Sequence, residues 1–206
     1  MNTRKTVKKY SRLYRAELKR RRYPDVKEKA GSYRTRLGEI YSSDKYREHD
    51  VYPTMNVPHI YAVIAMCLEL RSIGLSDAEI MSFLDGVFRK RKRFFARLIW
   101  LINLLPNSFN IAKNWNINDH EKRVRDHSIT YDYFNVGEHS VEYKISKCMY
   151  VEMFEYYGIR GLCKIFCNTD INSYGGLTRH VSFIRHSDLS DGDCCWDDIS
   201  LVEIQP

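Results

Sequence analysis

The sequence predicts an α+β protein, with a helical N-terminal half and a C-terminal antiparallel sheet packed with helices. Two observations predict it. Through the first half, apolar residues recur at three- and four-residue spacing, the period of a helix face. After Asn107 the pattern changes, and short runs rich in β-branched and aromatic residues alternate with polar ones between turn-forming clusters. A hydrophobic content of 44% in 206 residues is enough for a buried core and excludes global disorder. Fifteen tyrosines suit faces that are apolar at one end and wet at the other.

Thr3 to Arg22 reads as a basic amphipathic helix, with Val7, Tyr10, Leu13, Tyr14 and Leu18 on one face. Pro24 interrupts it. A second, polar helix is expected from Val26 to Ser42, and Asp44 to Pro53 reads as a charged linker. Pro58 suits the first turn of a helix running to Ile73, whose apolar face is Ile60, Val63, Ile64, Cys67 and Leu68. Gly74 is placed to cap its C-terminus. Ser76-Asp77-Ala78-Glu79 has the form of a capping box, flanked by the staple pair Leu75 and Ile80. The helix it opens carries the buried stripe Ile80, Phe83, Leu84, Val87 and Phe88, so these two helices are expected to form an antiparallel pair.

Arg89 to Arg93 are five consecutive basic residues, followed by a mostly apolar stretch that Pro106 ends. From Phe94 to Leu105 it is 12 residues long, against the roughly 20 a bilayer span needs. It is expected to bury its apolar part in the core with Arg97 and Asn103 outward, in preference to lying on a membrane surface. Ile129 to Val136, a turn over Gly137 to Ser140, and the alternation of Val141, Tyr143 and Ile145 form a hairpin. Lys147 to Tyr157 reads as a helix ended by Gly158, and Gly161 to Cys167 as a shorter one. Arg179 to His186 and Trp196 to Ile204 read as two further strands.

Charge divides the chain. Residues 1–50 hold 16 Lys and Arg against 7 Asp and Glu, while the remainder holds 17 against 19. The expected organisation is a basic helical extension over 1–50 and an α+β domain over 51–206. Such an asymmetry suits weak contact with nucleic acid or an anionic membrane surface, although no base-reading motif is present. The polar N-terminus has no apolar leader segment, so a cytoplasmic location and reduced thiols are expected.

Five of the six cysteines fall between Cys148 and Cys195. Cys67, on an apolar helix face, reads as core. Cys148, in the expected first turn of a helix beside Lys147, has the setting that lowers a thiol pKa. Cys163 and Cys167 share a helix face, Asp170 follows within a turn, and Cys194 and Cys195 point to opposite sides of a strand. The spacing of Cys148, Cys167, Asp170 and Cys195 lacks the paired Cys-x2-Cys knuckles of a zinc ribbon. No metal or other cofactor is therefore expected; nucleophilic or polarising thiols and buried structural thiols both remain open. His180 and His186 flank one expected strand on the same face, where either suits a general base. No nucleophile elbow, P-loop or dinucleotide fingerprint is present.

The run from Val141 through Lys147-Cys148-Met149-Tyr150, then Tyr157-Gly158-Ile159, Leu162-Cys163 and Phe166-Cys167-Asn168-Thr169-Asp170, resembles a family pattern. Phe183-Ile184-Arg185, Leu189 and Asp191-Gly192-Asp193-Cys194-Cys195 resemble its closing strand, glycine turn and cysteine. The family is that of L-2-amino-thiazoline-4-carboxylate hydrolase, and the resemblance covers roughly residues 53 to 203. Cys195 is followed by Trp196 and Asp197, where the family pattern has Asp and then an aromatic. The pattern is also similar to vinyl-reductase-like ligand-binding domains. The resemblance implies hydrolysis of a cyclic amidine in a small-molecule substrate, with Cys148, Cys167, Asp170 and Cys195 as catalytic residues and Tyr150, Arg185 and His180 binding substrate. The alternative is a non-catalytic module that binds an apolar ligand and carries a basic anion-docking extension.

Overall fold

The computed structural model describes residues 3–48, 51–52, 56–91 and 93–202. The chain divides into two compact units, one of residues 1–91 with 153–162 and one of residues 92–152 with 163–206. A boundary at residue 50 runs through the first unit.

The first unit is helical: α1 (Thr3–Arg20), α2 (Val26–Tyr41), α3 (Asp44–Glu48), α4 (Val57–Ser72) and α5 (Asp77–Arg91). The charged stretch expected as a linker contains α3. Helices α1, α2 and α5 all pack on α4. This makes α4 apolar nearly all round rather than on one face: Tyr61, Ala62, Ala65 and Met66 are buried along with the predicted Ile60, Val63, Ile64 and Cys67, and Leu68 is only half-buried. The basic extension contributes to this core. Tyr10, Tyr14, Leu18, Tyr33 and Leu37 are fully buried, and the ring of Tyr14 lies 4.6 Å from that of Tyr33 and 5.4 Å from that of Phe83. The Tyr33 hydroxyl, which must find a partner when buried, donates to the Ala62 carbonyl at 3.0 Å.

The helix ends follow the sequence signals. Gly74 has φ +88°, its N–H reaches Arg71 O at 2.9 Å and the Leu75 N–H reaches Leu70 O at 3.2 Å. These are the two bonds of a Schellman cap, whose left-handed position glycine takes without a steric penalty. Glu79 reaches back to the Ser76 backbone N–H at 2.8 Å, as a capping box requires.

Buried Glu17 is the electrostatic centre of this unit. Arg20 and Arg21 donate to its carboxylate and Lys90 lies 3.3 Å away. Burial raises its pKa, but the three cations outweigh burial and hold it down at about 2. Gly86 of α5 faces this carboxylate so closely that a Cβ there would lie 2.1 Å from Glu17 Oε1.

The second unit contains α6 (Arg93–Asn103), α7 (Ser108–Arg125), β1 (Ile129–Val136), β2 (Ser140–Cys148), the start of α8 (Met149–Glu155), α9 (Lys164–Tyr174), β3 (Val181–Ser187) and β4 (Cys195–Leu201). The strands form one antiparallel sheet in the order β1-β2-β4-β3. Val141, Tyr143 and Ile145 of β2 are buried on one face.

Four expectations change here. Strand β2 continues through Lys147 and Cys148, so α8 starts two residues later than expected. The short helix near Gly161 is a 3-10 turn (Arg160–Cys163) leading into α9, which runs on to Tyr174. Helix α7 was not anticipated, although Phe109, Ala112 and Asn116 are buried at helical spacing. Helix α6 does not bury its apolar part as expected. Ile99 and Ile102 are buried, but Trp100 is 61% and Leu101 54% exposed, while Asn103 turns in to accept the Arg179 backbone N–H at 3.0 Å. The side chains of Arg91, Lys92 and Arg93, and residues 203 and 204 of the expected last strand, lie outside the described residues. Among the described residues no helix is long and apolar enough to cross a membrane.

A Gly-to-Ala change inside a helix ordinarily stabilises by about 1 kcal/mol. Gly86→Ala is expected to do the opposite, lowering unfolding free energy in urea by about 1–3 kcal/mol, because the new methyl displaces the Glu17 carboxylate from its cations. A more stable Gly86→Ala protein would show that Glu17 can move without cost.

Candidate active site

The site is built around the middle of the sheet. On β4, Cys195, Asp197 and Ile199 alternate onto the buried face. Asp197 stands in register with Tyr143 of β2 on one side and Arg185 of β3 on the other. The Arg185 fork closes on it: Nε donates to Asp197 Oδ1 and Nη2 to Oδ2, both at 2.7 Å. The Tyr143 hydroxyl donates to the same carboxylate at 2.8 Å, and Cys195 Sγ lies 3.7 Å from it. Burial works against the Arg185 charge, but the Asp197 hydrogen bonds more than offset it and raise the pKa above its ordinary value. Arg185 also ties the sheet to α9: Nη1 donates to the Cys167 carbonyl at 2.7 Å and Nη2 lies 3.5 Å from Asp170.

Above this network is a cavity of about 170 Å³. Cys148, Cys167, Asp170 and Cys195 all line it, as do Tyr150 and Arg185. His180 does not; it lies in the turn before β3, and its carbonyl accepts the Val202 N–H at 3.1 Å. His186 also lies away from the cavity, stacked on Trp196 and 2.7 Å from Asp198. The shared face expected for the two histidines is lost because His180 precedes the strand and the pairing slips between Arg185 and Ser187.

The thiols are not equivalent. Cys148 ends β2 and receives the backbone N–H groups of Tyr150 and Val151, the donors that a helix start supplies. Burial nevertheless outweighs them and pushes the thiol up to about 11, the reverse of the expected lowering. Burial, then the Asp197 charge, raises Cys195 further. Cys163, fully buried one helical turn before Cys167, is raised first by its hydrogen bond to Cys167 and then by burial, so it is the proton donor of that pair. Cys167 itself is half-buried. Cys67 is core, as expected. All six cysteines are free, and no group of three or more His, Cys, Asp or Glu residues is placed to hold a metal ion among the described residues.

Four residues of the site were not anticipated. Tyr143 was assigned only a buried strand position, and Asp197 only a departure from the family pattern. Asp119 and Arg123 come from α7; their spacing of four, joined by a 3.2 Å ion pair, was the available signal.

A family model for L-2-amino-thiazoline-4-carboxylic acid hydrolase matches residues 61–197. The chain belongs to this family. No curated protein and no solved structure matches it. The part shared with the hydrolase family includes every residue lining the cavity and leaves α1 and α2 outside.

In this hydrolase-family member, alkylation by iodoacetamide near neutral pH is expected at the half-exposed Cys167 and Cys194, with Cys67, Cys163 and Cys195 spared. Cys148 starts to react only as the pH rises towards about 11 and its thiolate forms. Peptide mapping that finds Cys148 labelled as fast as Cys194 at neutral pH would show that burial does not control its thiol.

Proposed function

We propose that the protein is a hydrolase that opens a cyclic amidine C–N bond in a small, single-ring substrate of the 2-amino-thiazoline-4-carboxylate type. The observation that carries this reading is the convergence of Cys148, Cys167, Asp170 and Cys195 on one cavity of about 170 Å³. That volume suits one ring: an apolar protein cavity of about 150 Å³ accommodates benzene. The family model supports the same chemistry.

Cys167 is the nucleophile in this reading. Its proton passes to Asp170 as the sulfur adds to the amidine carbon. The ring C–N bond then breaks and the leaving nitrogen takes the proton from Asp170. Water adds to the same carbon and Cys167 departs, leaving an S-carbamoyl-cysteine product in which the carbon remains on the former ring sulfur and the ring nitrogen is a free amine. One water is consumed, and no oxidant or reductant is required. Cys163 donates a hydrogen bond to the Cys167 sulfur. Cys148 and Cys195, held protonated by burial, line the ring site as neutral thiols. Tyr150 packs on Phe166 at 4.9 Å and forms part of the wall. His180 has no part in this reading, and Arg185 acts through Asp170 and the Cys167 backbone, positioning both. Four ionisable residues (Asp119, Arg123, Asp170 and Arg185) line the cavity, which counts against a site for a purely apolar ligand.

Cys167→Ala and Asp170→Ala are each expected to lower ring-opening turnover by about 10²–10⁴-fold with an unchanged circular dichroism spectrum. Wild-type rates in both variants would remove these assignments.

A separate hollow supports a second role for the N-terminal helices. It encloses about 470 Å³ and is lined by Arg4, Lys8, Arg12, Arg15, Lys27 and Arg34 with no acidic residue. This surface suits a nucleic acid or anionic membrane partner. Binding to a short duplex or to anionic vesicles is expected to fall steeply with salt and to be lost in Arg12→Glu/Arg15→Glu. A lack of binding at low salt would dismiss this role.

A further inference from the structure

We infer that Arg123, with the Tyr150 hydroxyl beside it, is the carboxylate-recognition subsite of the cavity and makes the site selective for an anionic ring over its neutral analogue. The inference rests on the reading of this cavity as a substrate site and identifies the residue that selects the substrate.

The cavity offers two guanidiniums, and they differ in what they have left to give. The Nε, Nη1 and Nη2 groups of Arg185 are all engaged, and its charge faces the buried Asp197 in a two-point fork. The Arg123 side chain is 15% exposed, yet its Nη1 is buried without a hydrogen-bond partner among the described residues. A buried charged donor left unsatisfied is costly and is normally matched by a ligand, an ion or water. Its carboxylate neighbour Asp119 makes a single 3.2 Å contact through Nε, and that aspartate is 52% exposed. Asp119 therefore orients the fork while water screens its charge, so Arg123 retains attraction for a second anion.

Tyr150 completes the subsite. It lines the same cavity, its hydroxyl is near Arg123, and burial raises its pKa to about 12, so it stays a protonated donor. A carboxylate has two oxygens, and a guanidinium N–H with a phenol hydroxyl can satisfy both. The geometry comes from α7, an element that contributes nothing to the proposed thiol chemistry. Binding of the acid group and reaction at the ring therefore depend on different elements, α7 and the start of α8 for the first and α9 for the second.

The test uses two probes, L-2-amino-thiazoline-4-carboxylate and 2-amino-thiazoline, which differ only in the carboxylate. Binding to the full chain is measured by calorimetry, and turnover is followed separately. Wild-type protein is expected to bind the acid about 10- to 100-fold more tightly than the neutral ring. Arg123→Gln should erase that preference while leaving affinity for the neutral ring unchanged. Arg123→Lys and Tyr150→Phe should each reduce the preference without abolishing it, and they decide the matter if Arg123→Gln fails to fold. A folded Arg123→Gln protein that keeps the full preference overturns the inference, as does wild-type protein that binds neither probe. If the preference follows Arg123 but neither probe is turned over, the subsite stands and the hydrolase reading fails. If turnover persists in Arg123→Gln with an unchanged KM for the acid, the hydrolase reading stands and the subsite fails.

Discussion

The Arg185–Asp197 pair is the interaction on which the site depends. Asp197 lies on an inner strand with its side chain almost wholly excluded from water, a placement that is unfavourable unless a cation and further donors meet it. Arg185 supplies the cation and two hydrogen bonds, and Tyr143 supplies a third. Removing either partner of such a pair leaves an uncompensated buried charge and costs about 3–5 kcal/mol. What the pair contributes beyond its own energy is register. Asp197 can satisfy both neighbours only if β2, β4 and β3 pair as they do, because a one-residue slip would turn it to the opposite face of the sheet. The same guanidinium then fixes the Cys167 carbonyl, so the sheet register sets the position of the first turn of α9.

The first unit uses the same device in a helical setting. Glu17 is buried in a helix interface and receives Arg20, Arg21 and Lys90. Arg20 is the last residue of its own helix, Arg21 follows directly after it, and Lys90 comes from α5. The charge run ending in Arg93 is thus not wholly a solvated face, since Lys90 is part of an ion cluster that joins α5 to α1. Excess positive charge over residues 1–50 has two separable roles. Arg20 and Arg21 neutralise a buried carboxylate, while Arg4, Lys8, Arg12 and Arg15 line an open hollow.

Features written in local sequence were legible. The capping box, the Gly74 cap, the hairpin and the stripe of α5 depend on residues within one or two turns of each other, and each was read correctly. Legibility fell where the outcome depends on a partner distant in sequence. The apolar run of α6 suggested burial, but among the described side chains of that helix only Ile99 and Ile102 are buried. Of the polar residues that define the site electrostatically, Asp119 and Arg123 carry only their spacing of four as a signal, and Asp197 carries none until the sheet sets it between Tyr143 and Arg185. The cysteines were legible as candidates because their residue type is rare, and their convergence on one cavity follows from topology. Their protonation was not legible. Backbone N–H groups do reach the Cys148 sulfur, as a helix start implies, but the extent of burial decides the sign of the shift and is a property of the assembled unit.

That sign constrains the chemistry. With Cys148 and Cys195 protonated at neutral pH, neither supplies a resting thiolate, and a reaction through a thiol must remove its proton during the step. Asp170 follows Cys167 by three residues on α9, which places the two on the same helix face. The charge balance around the cavity points the same way. The Arg185 fork takes up Asp197 and lies 3.5 Å from Asp170, while Asp119 pairs with Arg123. The Asp119 and Asp170 side chains are both about half exposed. In the proposed reaction a ring carrying an amidinium and a carboxylate lies with its cationic end towards Asp170 and its acid end at Arg123. Arg185 is engaged by Asp197, so in that proposal it positions Cys167 and Asp170 while Arg123 takes the acid group.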